Sequence, residues 1–183
     1  IGFGQNVNIP DANFKAYLVN NRAINTSADT EIQLSEANSF NGNINCSSYN
    51  ISDLTGIEDF ASLTVLKCIN NPLTTLNVTQ NLSLTFLDIE NTLITELDVT
   101  QNHNLEELFI PFNSFNAIDI SQNPNLSWLS CSYNEIATLD LSLSPNLFYL
   151  NCRYNLLTEL DFTNNPNINT ISVEYNLITD LDL

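Results

Sequence analysis

The sequence has few of the residues on which several common functions depend. Its 183 residues include only 4 basic residues against 21 acidic ones, so the formal net charge is −17. Such a surface repels nucleic acid and anionic membranes over long range, which excludes both as partners. The 4 glycines form no phosphate-binding loop, and His103, the single histidine, belongs to no nucleophile-and-base arrangement. We therefore expect no catalytic residues.

Long apolar runs are absent as well. No run of about 18 apolar residues occurs, so we expect no insertion into a membrane. The first residues, IGFGQNVNIP, lack a basic region followed by an apolar stretch, and the sequence therefore shows no signal peptide. If the protein is exported, this chain is a mature fragment.

The sequence does contain a repeat of 21 residues. Each copy is apolar at its first, fourth, sixth, eleventh, fourteenth and sixteenth positions, and repeats 1 to 6 begin at Leu63, Leu84, Leu105, Leu126, Leu147 and Ile168. A partial copy precedes them at a spacing of 22, with Ile44, Cys46, Ile51 and Leu54. One repeat cannot bury enough apolar surface to offset the entropy of ordering its backbone, whereas stacked repeats share faces. The period therefore predicts a solenoid.

The repeat pattern L-x-x-L-x-[C/I/V]-x-x-N-x-[L/I]-x-x-L-D-[L/V/I] resembles the leucine-rich repeat family over residues 41–183. The resemblance implies an α/β-type solenoid dominated by β structure, wound as a right-handed superhelix with a parallel sheet on its concave face. It places one short strand per repeat around the fourth to eighth positions. It also implies a ladder of asparagines that satisfy buried backbone groups, at Asn71, Asn113, Asn134, Asn155 and Asn176. Thr92 replaces asparagine in repeat 2, and we expect looser geometry there.

A column of acidic residues recurs near the end of each repeat. It contains Asn77, Asp98, Asp119, Asp140, Asp161 and Asp182, with serine or threonine two residues later and asparagines at 81, 102, 123 and 165. This combination is typical of side chains that close turns. A row of calcium ions bound by the carboxylates is the alternative.

The four cysteines share one column with isoleucine and valine. They are Cys46, Cys68, Cys131 and Cys152. A position that accepts isoleucine is a core position, so we expect buried thiols rather than zinc ligands. Adjacent parallel strands would point these side chains the same way, which suits a disulfide poorly.

Residues 1–40 precede the repeats and predict a helix-and-loop cap, which leaves 41–183 for the solenoid. A helix starting at Pro10 would bury Phe14, Tyr17 and Leu18 on one face. The segment NTSADTEIQLSE resembles an EF-hand or dockerin-type calcium loop, whose ligands would be Asn25, Ser27, Asp29, Glu31 and Glu36. Asn25 stands where aspartate is usual, and Thr30 replaces the turn glycine. The resemblance thus implies a weak calcium site, and the alternative is a metal-free capping turn.

Strand alternation sends the third, fifth, seventh and eighth repeat positions to the concave face. These positions hold eight aromatic and two basic residues, and the predicted ligand-binding set is Lys67, Phe86, Phe109, Phe112, Trp128, Tyr133, Tyr149, Arg153, Tyr154 and Tyr175. Aromatic residues favour strands whatever their function. A contiguous aromatic field on a surface more often marks a contact site.

The sequence favours a non-catalytic module that binds a protein partner, in surface recognition or adhesion. A carbohydrate-binding surface and a passive spacer are the alternatives. Similarity to secreted bacterial leucine-rich repeat proteins implies an extracellular or cell-surface location. The chain stops at ITDLDL, inside a repeat and without a polar cap. We expect either that the natural protein continues past Leu183 or that two chains associate end to end.

Overall fold

Each repeat contributes one strand to a single parallel sheet. The structure is a computed structural model that describes residues 4–179. Within these residues the strands are β1 Asn43–Asn45, β2 Val65–Lys67, β3 Phe86–Asp88, β4 Glu107–Phe109, β5 Trp128–Ser130, β6 Tyr149–Asn151 and β7 Thr170–Ser172. They pair in chain order, and every pair is parallel. The predicted solenoid dominated by β structure is confirmed.

The strands occupy the third to fifth repeat positions rather than the fourth to eighth. The residue at the fourth position is buried at the centre of each strand, as Leu66 and Leu129 are. Hydrogen bonds between repeats nevertheless continue beyond the strands: the Cys68 amide donates to the Asp88 carbonyl over 2.9 Å, and the Asn70 amide donates to the Glu90 carbonyl over 3.0 Å. The predicted strand boundaries were therefore wrong, although the inter-repeat pairing does reach the eighth position.

The helical cap and the solenoid share one hydrophobic core. Helix α1 spans Ala12–Asn20 and helix α2 spans Leu34–Ser39, and a 3₁₀ helix follows at Ile57–Asp59. Buried residues form one continuous cluster from Phe14 in α1 to Phe162 in repeat 5. Helix α2 ends at Ser39 and β1 begins at Asn43; the division of the chain at residue 40 stays a prediction. None of the helices in residues 4–179 is long and apolar enough to cross a membrane.

Helix α1 begins after Asp11 rather than at Pro10. One carboxylate oxygen of Asp11 accepts hydrogen bonds from the amides of Asn13 and Phe14, both over 2.9 Å, and so caps the helix. The other oxygen accepts from the amide and the hydroxyl of Ser52. A single side chain thus caps the start of helix α1 and fastens it to the first turn of the solenoid.

The predicted asparagine ladder joins successive repeats. The Asn155 side chain shows the regular pattern: Nδ2 donates to the carbonyls of Cys131 and Cys152, and Oδ1 accepts from the Ile136 amide over 2.9 Å. At Thr92 the pattern changes, because threonine has no amide group. Asn113 Oδ1 instead accepts from the Thr92 amide and from the Thr92 hydroxyl, over 3.1 and 2.7 Å. The ladder is altered at this one junction.

A second asparagine ladder closes the turn that leads back to the sheet. Asn102 is fully buried, and its Nδ2 donates to the carbonyls of Val78 and Asn81, both over 3.0 Å. Asn81, Asn123 and Asn165 make equivalent pairs of bonds. Ser144 takes this place in repeat 4, and its buried hydroxyl has no hydrogen-bond partner within the described residues. The short serine side chain therefore leaves out one step of the ladder.

The acidic column closes turns, as the sequence indicates. Asp98 Oδ1 accepts from the amide and the hydroxyl of Thr100, over 2.9 and 2.6 Å. These two bonds hold the pKa of Asp98 below its usual value. Asp119, Asp140 and Asp161 accept from the amide two residues later in the same way, and Asp182 lies outside the described residues. These four carboxylates are each stabilised within their own turn, which fits the turn-closing interpretation, and the row of calcium ions stays an alternative.

The four cysteines are buried free thiols, which confirms their assignment to the core. The Cys46 and Cys68 thiols each point at a carbonyl of the next repeat, 3.6 and 3.7 Å away. Burial raises the pKa of Cys46 and of Cys152 to about 12. The thiols therefore stay protonated and fill the core as small apolar groups.

Candidate functional site: the aromatic face of the sheet

Two pairs of aromatic rings stack on the solvent side of the strands. Trp128 and Tyr149 begin β5 and β6 and are direct neighbours in the sheet. Their ring centroids are 4.2 Å apart, with 16° between the ring planes. Phe86 and Phe109 stack at 5.3 Å and 29°. All four are half-buried, so the strands position the predicted residues as the alternation of side chains requires.

The eighth repeat position carries a longer stack, which we call the tyrosine ladder: Phe112, Tyr133, Tyr154 and Tyr175. Successive ring centroids are 4.3, 4.2 and 4.2 Å apart, and the planes deviate by 13°, 16° and 9°. The rings are 37% to 68% exposed. Four large rings thus project from consecutive repeats in one aligned row.

The backbone of the tyrosine ladder is in the left-handed region, with φ between 53° and 61°. The eighth position has the same conformation in repeats 1 and 2, where Asn70 and Asn91 have φ of 55° and 52°. Asparagine tolerates this conformation, whereas a bulky residue is disfavoured there by about 1–2 kcal/mol. Strand propensity therefore cannot explain the ladder, because its residues are neither in strands nor in an extended conformation.

Stacking determines which atoms of the ladder a ligand can reach. Both faces of Tyr133 and of Tyr154 are covered by neighbouring rings. The ring edges and the phenol hydroxyls remain accessible. The hydroxyl of Tyr175, with burial and the hydroxyl of Tyr133, raises the pKa of Tyr154 to about 12. The ladder thus offers hydroxyls on apolar ring edges, and its inner rings have no free face for stacking on a sugar.

The basic residues of the predicted site have partners within the chain. Lys67 Nζ lies 4.4 Å from the centre of the Phe86 ring. Arg153 Nε lies 2.6 Å from one oxygen of Glu174, and its Nη2 donates to the other oxygen over 3.1 Å. Both basic residues lie on the aromatic face, as predicted, but each is engaged. The electrostatic field at this face is therefore that of an acidic protein.

Three exposed leucines beside the ladder were missed by the sequence analysis. Leu93, Leu156 and Leu177 occupy the tenth repeat position and are 46% to 60% exposed. They follow the ninth-position residues Thr92, Asn155 and Asn176 of the first ladder, two residues after the eighth position. The signal was present in the sequence as a partly apolar column next to an asparagine column. By contrast, some residues at the fifth and seventh repeat positions are not exposed: Asp88, Ser130 and Ser132 are buried.

The oxygens of the predicted calcium loop are engaged by donors from the cap itself. One carboxylate oxygen of Glu36 accepts from the Ser27 amide over 2.7 Å and from the Thr26 hydroxyl, and the other accepts from the Gln33 amide. Burial acts to raise the pKa of Glu36, but these bonds outweigh it and the pKa lies below its usual value. Glu36 therefore forms a capping box at the start of α2.

The other predicted ligands are also held by neighbours. Asn25 Nδ2 donates to the carbonyls of Val19 and Asp29, and Asp29 accepts from the Glu31 amide. Both oxygens of Glu31 accept from Lys15 Nζ over 2.7 Å. Within residues 4–179, acidic residues, histidines and cysteines form no group of three that could hold a metal ion. This arrangement fits the metal-free capping turn, and calcium binding stays a prediction.

The clearest cavities of the described residues lie away from the aromatic face. One of about 340 Å³ is lined by Tyr17, Tyr49 and asparagines of the cap. Another, of about 350 Å³, lies between repeats 4 and 5 beside Asp140, Glu159 and Asp161. Neither cavity is lined by a residue of the predicted ligand-binding set.

The fold is similar to those of solved leucine-rich repeat proteins. A leucine-rich repeat protein of Leptospira interrogans is 26% identical, with a TM-score of 0.65 over 70% of this chain and 39% of its own. An internalin of Listeria monocytogenes, InlF, is 18% identical, with a TM-score of 0.73 over 97% of this chain and 61% of its own. Internalin C2 of the same organism is 18% identical, with a TM-score of 0.71 over 98% of this chain and 92% of its own.

No protein-family model and no curated protein matches the sequence significantly. The structural similarity shows a leucine-rich repeat fold. The chain spans less than two thirds of the Leptospira protein and of InlF. The ligands of these longer proteins therefore cannot be assigned directly to this chain.

Proposed function

We propose that the chain is a non-catalytic module that binds a protein partner through the aromatic face of its sheet. One observation carries the proposal. Phe112, Tyr133, Tyr154 and Tyr175 occupy left-handed backbone positions that asparagine fills elsewhere in the same solenoid. Backbone strain that local packing does not require is concentrated at functional sites.

The chemistry of the face supports a protein ligand. Tyrosine and tryptophan are enriched in the central contacts of protein interfaces because they combine large apolar area with a polar atom. The ladder presents ring edges and hydroxyls together, and the exposed leucines extend its apolar area. Leucine-rich repeat folds among the structural neighbours agree with an interaction module.

A carbohydrate ligand has less support. Sugars are held by the open faces of aromatic rings, and the inner rings of the ladder cover each other's faces. A passive spacer would gain nothing from strained, exposed aromatic residues. We also propose that the protein acts outside the cell or at its surface, in keeping with the folds of the Listeria neighbours. Antibody labelling of intact source cells tests that location.

The test removes the rings without disturbing the backbone. In the double variant Tyr133→Asn/Tyr154→Asn, each ring is replaced by the residue that occupies the same position in repeats 1 and 2. Phe148→Asn is the control, because Phe148 is an exposed aromatic residue outside the stacks. Immobilised chains are exposed to an extract of proteins and, in parallel, to a glycan array.

We expect the original chain and the Phe148→Asn control to retain the same protein, which mass spectrometry identifies, and the double variant to lose it. Purified partner must then bind with an affinity that the double variant lowers about tenfold or more. Equal binding to all three chains would show that the aromatic face is not the binding site. Binding to glycans alone would replace a protein partner with a carbohydrate.

Calcium binding by the cap loop is tested by calorimetry on the original chain and on Glu36→Gln. The calcium hypothesis requires heat of binding that the substitution removes. Equal heat from both proteins would move the site away from the loop. Absence of heat in both would leave the metal-free turn, which the hydrogen bonds of Glu36 support.

A further inference from the structure

We propose that the partner binds through a proline-rich segment with basic flanks, held in polyproline II conformation along the tyrosine ladder. The inference rests on the proposed function and goes further by naming the chemistry and conformation of the bound segment. Three features of the face carry it: the arrangement of its walls, its period and its charge.

Two rows of aromatic rings, which we call the walls of the face, run across the strands. One wall is the Trp128–Tyr149 stack at the third repeat position, and the other is the tyrosine ladder at the eighth. The residues between them in sequence include Ser130 and Ser132, which are small and buried. An extended chain lying between the walls would contact aromatic residues on both sides. Polyproline II segments are recognised by surfaces lined with aromatic side chains.

The period of the ladder is closer to that of polyproline II than to those of the other regular conformations. Successive ring centroids are 4.3, 4.2 and 4.2 Å apart, so alternate rings recur after about 8.5 Å. A polyproline II helix repeats every three residues, or about 9.3 Å. An extended β-strand repeats after about 6.7 Å and an α-helix after about 5.4 Å, and both differ more from the ladder. A polyproline II segment therefore fits alternate rings best.

The exposed polar atoms of the walls complement such a segment. Polyproline II has no internal hydrogen bonds, so every backbone carbonyl is free to accept one. Tyrosine hydroxyls and the Trp128 indole N–H are donors. The hydroxyls follow one another along the ladder, and the apolar ring edges between them suit pyrrolidine rings. Directional bonds and apolar contact would thus come from the same side chains.

Charge determines the flanks of the segment. The chain carries −17, and Lys15, Lys67 and Arg153 already contact Glu31, Phe86 and Glu174. Glu107 and Glu174 lie on the aromatic face itself. An acidic segment would be repelled by this field, whereas arginines or lysines beside the prolines would be attracted. Affinity should consequently fall as salt screens the attraction.

The experiment uses synthetic peptides and the fluorescence of Trp128, the only tryptophan. The test peptide has a proline-rich core of about nine residues, which spans about 28 Å as polyproline II, between arginine flanks. The first control peptide replaces the prolines by alanine, and the second replaces the arginines by glutamate. The proteins are the original chain, Tyr133→Asn/Tyr154→Asn, and Phe148→Asn.

We expect saturable binding of the test peptide to the original chain and to Phe148→Asn. Both control peptides, and the test peptide on the double variant, should bind about tenfold more weakly or worse. Circular dichroism and thermal unfolding of the double variant verify that it remains folded. Equal affinity of the alanine peptide would overturn the polyproline II inference, and equal affinity of the double variant would overturn the site.

The outcome separates this inference from the proposed function. If no proline-rich peptide binds, but a purified protein partner still depends on Tyr133 and Tyr154, the inference fails and the proposed function stands. If the protein partner does not depend on these residues either, both fail.

Discussion

The first two repeats and the last four make different use of the same backbone. At the eighth position φ stays between 52° and 61° from Asn70 to Tyr175. In repeats 1 and 2 this position holds asparagines that bond to each other, with Asn91 Nδ2 donating to Asn70 Oδ1 over 2.7 Å. In repeats 3 to 6 it holds stacked rings. Because the backbone conformation is constant, the fold does not require the change from asparagine to aromatic residues. The change therefore indicates a different use of the surface.

The ladder compensates for part of its own strain. A left-handed aromatic residue costs about 1–2 kcal/mol, and each stacked pair contributes about 0.5–1.5 kcal/mol. Tyr133 and Tyr154 have two stacked neighbours each. Replacing them by asparagine should therefore change stability little, while the neighbouring buried asparagines should matter much more. The predictions test this contrast.

The largest effect is expected from Asn155→Ala, one residue after Tyr154. The substitution leaves the Ile136 amide without its acceptor, and an unpaired buried group costs about 1–3 kcal/mol. It also removes one of the two asparagine donors from each of the Cys131 and Cys152 carbonyls, which keep the bonds from Asn134 and Asn176. We expect a loss of about 3 kcal/mol or more in denaturant unfolding, against less than about 1 kcal/mol for Tyr154→Asn. Similar losses for the two variants would contradict the separation of structural and binding positions.

Moving tyrosine into the first two repeats is the next test. Asn70→Tyr introduces the strained conformation beside an asparagine, so we expect a loss of about 1–2 kcal/mol. Asn91→Tyr introduces the same strain next to Phe112, where stacking offsets most of it. The double variant should be more stable than the sum of the single changes predicts. Additive unfolding energies would show that stacking does not hold the ladder together.

A smaller gain should follow from Thr92→Asn. This change gives repeat 2 the asparagine that repeats 3 to 6 have at the ninth position. By analogy with Asn134, its Nδ2 would donate to the Cys68 and Ile89 carbonyls, and its Oδ1 would accept from Leu73. We expect a rise of about 1 kcal/mol in the free energy of unfolding. Thr92→Val is the matched control, which keeps the shape and should not gain.

The smallest effect concerns ionisation in the ladder. The neighbouring hydroxyls raise the pKa of Tyr154 to about 12, against about 10 for free tyrosine. The neutral form is thus favoured in the folded state, so its contribution is complete below pH about 10 and is lost as pH rises toward 12. Ultraviolet titration of Tyr175→Phe should show Tyr154 ionising at lower pH than in the original chain. An unchanged titration would show that the two hydroxyls do not interact.

The architecture could be predicted from the sequence because apolar periodicity alone specifies it. Leu66, Leu129 and their equivalents are buried where the period places them. The columns of the aromatic face could be predicted for the same reason. The strand boundaries could not, since they depend on where the backbone turns left-handed after the seventh position. Because of that turn, the tyrosine ladder lies outside the strands, and strand propensity does not explain its aromatic residues.

Contacts between neighbouring repeats were also beyond the sequence. Side-chain packing made Lys67 and Arg153 partners of Phe86 and Glu174, and it covered the ring faces on which a carbohydrate would stack. In the cap, spacing placed Glu36 at the closing position of a calcium loop. The same spacing also fits a capping box, and only the direction of its oxygens distinguishes the two.

Thr92 and Ser144 weaken the contact between successive repeats at two places along the solenoid. In a stack where each unit touches only its neighbours, cooperativity is transmitted through the junctions. Thr92 alters the first ladder in repeat 2, and Ser144 interrupts the second ladder in repeat 4. Pulled from its ends, the molecule should yield at these junctions first and extend in segments rather than all at once. Single-molecule force spectroscopy would record that as discrete steps, which Thr92→Asn and Ser144→Asn should merge into one.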